Sequence, residues 1–186
     1  MLTKIIPGLI TLFMTTYAMA TPITPYTVTQ KLTDKIEIRE YPKLLLATVT
    51  ATDSQDNSSF RILFDFIDGA NSKKQEIAMT APVFEKYTAN STSMSFAMPE
   101  EFNLENLPVP DNKNIQLENM HKVSFIAIRF SGFASDSNFA EHKAILLEQI
   151  KKNNINADLS IPIKAYYNKP WTLPFLKRNE LLFRVN

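Results

Sequence analysis

The sequence has 186 residues, 45% of them hydrophobic, with 20 Lys and Arg against 19 Asp and Glu and no cysteine. Near-neutral charge argues against a nucleic-acid partner, whose binding leaves a basic excess. Missing thiols exclude disulfides, thiolate metal sites and cysteine nucleophiles, and three glycines in the whole chain argue against Gly-rich phosphate loops.

Met1 to Ala20 reads as a signal peptide. Lys4 is its only charge, an apolar run extends from Ile5 to about Tyr17, and Ala18-Met19-Ala20 supplies a small-residue cleavage signal. Pro7 and Gly8 interrupt a run already shorter than the roughly 20 apolar residues of a spanning helix. Cleavage after Ala20 is therefore expected, leaving no membrane span and giving a periplasmic or secreted product. Residues 21–186 then form one domain with a sizeable core and 19 charges of each sign.

Strand signals come first. Tyr26 to Lys31 is β-branched and alternating, Lys35 to Tyr41 alternates strictly, and Thr33-Asp34 between them reads as a hairpin turn. Leu44 to Thr52 is a third strand. Asp56 to Ser59 offers N-cap candidates for a helix that begins near Phe60 and ends near Gly69. Its apolar side chains cover roughly 200° of surface, where one sheet contact needs little more than about 100°. Phe60, Leu63 and Ile67 form the expected core stripe; Ile62 and Phe66 are the excess, to be covered by more protein or by a ligand.

Strands resume at Val83 to Thr88 and Ser93 to Met98. A long proline-containing loop runs from Pro99 to Asn114, followed by strands Ile115 to Met120 and Lys122 to Phe130. A second helix spans Asp136 to Lys152, its apolar stripe centred on Phe139, Leu146 and Ile150, with Lys151 and Lys152 suited to its C-terminal dipole. Ser160 to Tyr167 and Leu181 to Val185 complete the sheet. Phe60 precedes Pro82 by 22 residues and Phe139 precedes Pro162 by 23, which suggests an internal duplication.

Several segments in this order resemble the SOUL/haem-binding-protein family: Ile36-Glu-Ile-Arg-Glu-Tyr41, Phe66-Ile-Asp-Gly69-Ala-Asn71, Ile77-Ala-Met79-Thr-Ala-Pro82-Val83, Phe130-Ser-Gly132-Phe133, Ala165-Tyr-Tyr167-Asn168-Lys-Pro170 and Arg178-Asn179-Glu180. The resemblance covers nearly all of the chain after Ala20. It implies an α+β fold, a twisted antiparallel sheet or distorted barrel from two similar halves flanked by two helices. It also implies noncovalent binding of haem or porphyrin, against the first helix and under the loop before the last strand. Some animal members place a histidine, proposed as an axial ligand, just before the tyrosine that ends the second strand; here that position is Glu40. Basic helix positions of other members fall on Asn57 and Asp65.

The residues bear on that placement directly. Loops are normally polar, yet Lys169 to Lys177 carries Trp171, Leu173, Phe175 and Leu176. These side chains either fold back over the core or wall a ligand. Lys169, Lys177, Arg178 and Lys73-Lys74 could meet propionates, and Tyr87, Tyr166 and Tyr167 are of a type that ligates haem iron. His121 is expected at an exposed turn and His142 at the edge of a helical stripe, so haem ligation by histidine is not expected. Met79-Thr80-Ala81-Pro82 is expected to be structural, with Pro82 marking a strand start. No hydrolase elbow, zinc-protease motif, P-loop or dinucleotide fingerprint occurs, so the chain is not expected to be an enzyme. The candidate site is Ile62, Phe66, Tyr167, Trp171, Phe175, Lys177 and Arg178, taking haem or porphyrin. The alternatives are another apolar small molecule or, less favoured, an enzyme of the cell envelope.

Overall fold

The computed structural model describes residues 21–52 and 58–186. The signal-peptide reading and the N-cap candidates Asp56 and Asn57 lie outside them. The elements run β1 (Thr27–Lys31), β2 (Ile36–Tyr41), β3 (Leu44–Ala51), α1 (Ser58–Ile67), β4 (Val83–Tyr87), β5 (Thr92–Ala97), β6 (Ile115–Met120), β7 (Val123–Phe130), α2 (Asp136–Lys152), β8 (Ala157–Tyr166) and β9 (Asn179–Val185). The fold class is α+β, as the sequence leads one to expect.

Among the described residues nine strands form one antiparallel sheet, in the order β1-β2-β7-β9-β8-β4-β5-β3-β6. The order resolves into two copies of one pattern. β3-α1-β4-β5 gives the neighbours β3-β5-β4, and β7-α2-β8-β9 gives β7-β9-β8; β4 and β8 join the copies. The strand preceding each copy is exchanged: β2, which leads into β3, pairs with β7, and β6, which leads into β7, pairs with β3.

This exchange shapes the sheet. β2 reaches β3 through only Pro42 and Lys43, and β6 reaches β7 through His121 and Lys122. Each connection spans at most roughly 11 Å, whereas six strand spacings in a flat sheet would separate those strands by about 29 Å. The sheet therefore curls strongly, although its hydrogen bonding does not close it into a barrel.

Both helices pack on one face of the curl. α1 covers Leu45, Ala47, Val49 and Phe96; α2 covers Ile126, Ile128, Leu181 and Phe183. α2 is capped by Ser135, whose side chain accepts from the Asn138 backbone N–H, and Asn138 Nδ2 donates to the carbonyls of Ser131 and Phe133. Gly132 between them is required: its φ is +102°, and a Cβ there would stand 2.9 Å from Asn138 Nδ2.

Two expectations are corrected. The buried face of α1 is Ser59, Leu63, Phe66 and Ile67, while Phe60 and Phe64 stay part-exposed and stack on each other. The cause is the Pro99–Asn114 loop. Leu107 and Phe102 fold back onto the core that Phe66 joins and Ile62 borders, and Asp111 N–H and Ser72 N–H bond across to Ala70 O and Val109 O. More protein covers the flank that the sequence left open. β9, moreover, starts at Asn179, two residues before the expected Leu181, because Asn179 and Glu180 pair with Tyr166 and Ala165. Pro162 sits where the β8–β9 register is irregular, between Asp158 and Ile163, as its missing N–H requires. Met79 packs on the core and Thr80 donates to Ala97 O, 2.7 Å, consistent with a structural part for that segment.

Candidate functional site

The segment between β8 and β9 is apolar, exposed and firmly held. A 3-10 turn covers Pro174–Leu176. Gly132 N–H donates to Pro174 O, Thr172 N–H to Lys169 O, Lys177 Nζ to Pro170 O, and Arg178 N–H to Asn168 Oδ1. On this frame Trp171 is 78% exposed and Phe175 71%, with Leu173 and Leu176 exposed beside them and Phe133 exposed next to the Gly132 link. Of the two readings open in the sequence, folding back over the core is the one the structure sets aside. Five large apolar side chains thus stand exposed on this loop and next to it, together called the shelf, and exposed apolar groupings of this kind mark interaction sites.

Cations flank the shelf. Lys169 Nζ lies 5.6 Å from the Trp171 ring centre. Beside it is a depression of about 430 Å³ whose lining includes Tyr167, Asn168, Lys169, Thr172 and Arg178. Its base is a buried ionic network. Arg178 Nη2 and Arg39 Nη1 each lie 2.8 Å from a different oxygen of Glu180, which is fully buried. Tyr167 OH donates to the same carboxylate at 2.9 Å, and Arg178 Nη2 donates to Tyr26 OH. Arg178 also stacks 3.8 Å over the Tyr167 ring. Arg39 Nε adds an ionic contact to Glu37 at 3.3 Å, without hydrogen-bond alignment. Burial works against the charge of both arginines, but the Glu180 carboxylate outweighs it and holds both guanidiniums more firmly protonated than usual.

The other candidates are placed differently. Ile62 and Phe66 line a depression of about 540 Å³ that is bounded across from the helix by Asp111, Asn112 and Lys113; no residue of the 170–177 loop is among its lining. Phe66 is only 1% exposed and belongs to the core. Lys73 and Lys74 serve the loop that covers α1, donating to Asn106 O and pairing with Asp111. The structure thus groups Trp171, Phe175, Lys177, Arg178 and the ring of Tyr167, and separates Ile62 and Phe66 from them.

An iron ligand is the part of a haem site that these residues fit least. His121 is exposed on the β6–β7 turn. His142 stacks 4.0 Å on Phe130, its Nδ1 bonded to Asn138 O. Glu40 pairs with Lys122. Ligation by tyrosine calls for the phenolate, and burial pushes Tyr166, Tyr167 and Tyr87 well above the ordinary phenol range, reinforced by Glu85 beside Tyr166 and Tyr87 and by Glu180 beside Tyr167. No group of three or more His, Cys, Asp or Glu positioned for a metal ion occurs among the described residues. Among the described residues, an exposed apolar face and nearby cations are found together, without a histidine or phenolate poised for iron.

An aromatic shelf beside a cationic depression, on a curled sheet, defines a domain suited to holding a small molecule. The chain belongs to the SOUL heme-binding protein family, whose family model matches residues 21–184. It is 25% identical to Heme-binding protein 1 of Xenopus laevis over 135 residues, covering 67% of each chain, and 27% identical to human Heme-binding protein 2 over 160 residues, covering 80% of this chain and 77% of that one. A solved structure of a Listeria innocua hydrolase shares the fold at a TM-score of 0.63 and 12% identity, over 82% of this chain and 92% of that one. Family and relatives support noncovalent haem or tetrapyrrole binding in general.

Proposed function

We propose that this chain is a non-enzymatic tetrapyrrole-binding protein of the cell envelope that grips the macrocycle rather than its iron. The macrocycle lies on Trp171, Leu173, Phe175 and Leu176, and its propionates meet Lys169, Lys177 and Arg178. The observation that carries this reading is the exposed shelf itself. Four large apolar side chains are held in water by a fixed loop, directly beside cations that a carboxylate can reach.

Titration with hemin and with metal-free protoporphyrin, followed by absorbance, tests it. The two ligands are expected to bind with similar affinity, and His121→Ala with His142→Ala should change neither. Burying a large aromatic is worth roughly 1.5–3 kcal/mol, so Trp171→Ala weakens both ligands by about tenfold to a hundredfold without lowering the melting temperature. Unchanged affinity in that variant would sink the shelf. A hemin spectrum that collapses in the double histidine variant would show that iron ligation matters.

The envelope location rests on Lys4, the apolar run and Ala18-Met-Ala20. Protein recovered from the periplasm of an expressing Gram-negative cell should begin at Thr21 by mass spectrometry. An intact Met1 in the cytoplasmic fraction would remove that part of the proposal.

A further inference from the structure

The curl of the sheet holds a third space, on the face without helices. It has a volume of about 220 Å³ and draws its lining from β2 through β9. None of its lining residues lines the depression beside the shelf. Its two walls differ in chemistry. One is aromatic and apolar: Tyr41, Phe84, Phe125 and Leu182, with Tyr41 edge-on to both phenylalanines. The other is polar, a hydrogen-bonded row running across three strands. Thr48 Oγ1 donates to Glu118 Oε1 at 3.1 Å, so in the 2.9 Å contact between Ser95 and Thr48 it is Ser95 that donates. The row consumes its own donors. It leaves acceptors: the second oxygen of Glu118 and the free lone pair of Ser95.

We propose that this cavity binds a compact neutral aromatic molecule that carries an N–H or O–H donor on one edge, such as an indole or a phenol. Size sets the first limit. A dry cavity of about 150 Å³ accepts benzene, and drug-sized ligands need about 300 Å³ or more, so this volume suits one or two fused rings and is too small for a porphyrin. The hydroxyl row and Glu118 set the second, since only a donor satisfies acceptors. Lys86, exposed at the rim, is the other charged group lining the cavity, and it disfavours an ammonium-bearing ligand. The Tyr41 hydroxyl accepts from Arg39 Nη1 at 3.3 Å.

Indole and N-methylindole, the same shape without the donor, are the probes. Calorimetry should show saturable indole binding, and backbone amide NMR shifts should concentrate on β3, β5 and β6. N-methylindole should bind about tenfold more weakly, the effect of losing a hydrogen bond to a charged acceptor. Glu118→Ala, at an exposed position of an edge strand, should weaken indole by about the same factor and leave N-methylindole unchanged. Ser95→Leu, if it folds, should block both probes while protoporphyrin still binds; Trp171→Ala should leave indole binding intact. The proposal is overturned if indole does not bind, if its shifts fall on the 170–177 loop, or if both probes bind equally with Glu118→Ala indifferent to the donor.

Discussion

Glu180→Ala should lower the unfolding free energy by about 3–5 kcal/mol, the range for removing one partner of a buried ion pair. The side chains of Arg39 and Glu180 are 1% and 0% exposed, so solvent cannot take over from the missing carboxylate. Arg178 is a quarter exposed and can hydrate, which leaves the buried Arg39, among the described residues, with only its 3.3 Å ionic contact to Glu37. Tyr167 loses its acceptor as well. Circular dichroism during urea unfolding measures the effect. The double variant Arg39→Met with Glu180→Leu should recover most of the loss, because it removes the charge and its partner together. A Glu180→Ala protein that unfolds at the wild-type midpoint would mean that the network contributes nothing to stability.

Phe66→Ala should also cost about 3–5 kcal/mol, as a large side chain deleted from a packed core, and lower the melting temperature on the order of 10 °C for a domain of this size. It belongs to the same buried cluster as Leu63, Ile67, Ile77 and Leu107, which come from α1 and from the segments 68–82 and 99–114. Protoporphyrin affinity should stay within about twofold of wild type once the protein is folded. A stable Phe66→Ala variant that loses porphyrin would reverse the assignment and put the ligand between α1 and the loop before the last strand, as the family resemblance implies.

Local signals were readable from the sequence. Alternation marked β1 to β3 within a residue or so, and the apolar period marked α2 from Asp136 to Lys152. The apolar loop before the last strand stood out for its composition alone, and its large side chains are exposed. What failed was set by residues distant in sequence. The rotation of α1 depends on Leu107 and Phe102, some forty residues downstream, and no helical period carries that information. Arg178-Asn179-Glu180 can be read locally as a polar cluster that pins the loop, but the full burial of the Glu180 carboxylate cannot, since a carboxylate is seldom buried without a partner. Arg39, 141 positions earlier, is what permits it. The cavity inside the curl was invisible for the same reason, since the curl follows from pairings between strands of different halves.

Those pairings also govern the order in which the chain can mature. β2 joins residues 82 to 92 positions further on, and β3 joins residues 66 to 76 positions further on. Loops of that length close slowly, so as the chain is made from its N-terminus the open side of β3 waits for β6 and that of β2 waits for β7. A fragment ending before Ile115 would present the partnerless sides of β2, β3 and β4, which in the whole chain pair with β7, β6 and β8, as sticky edges and should aggregate when expressed alone. Supplied together with the remaining segment, it should assemble into the native sheet, each piece donating one strand to the other: two copies of a pattern, each of which is a chaperone for its twin.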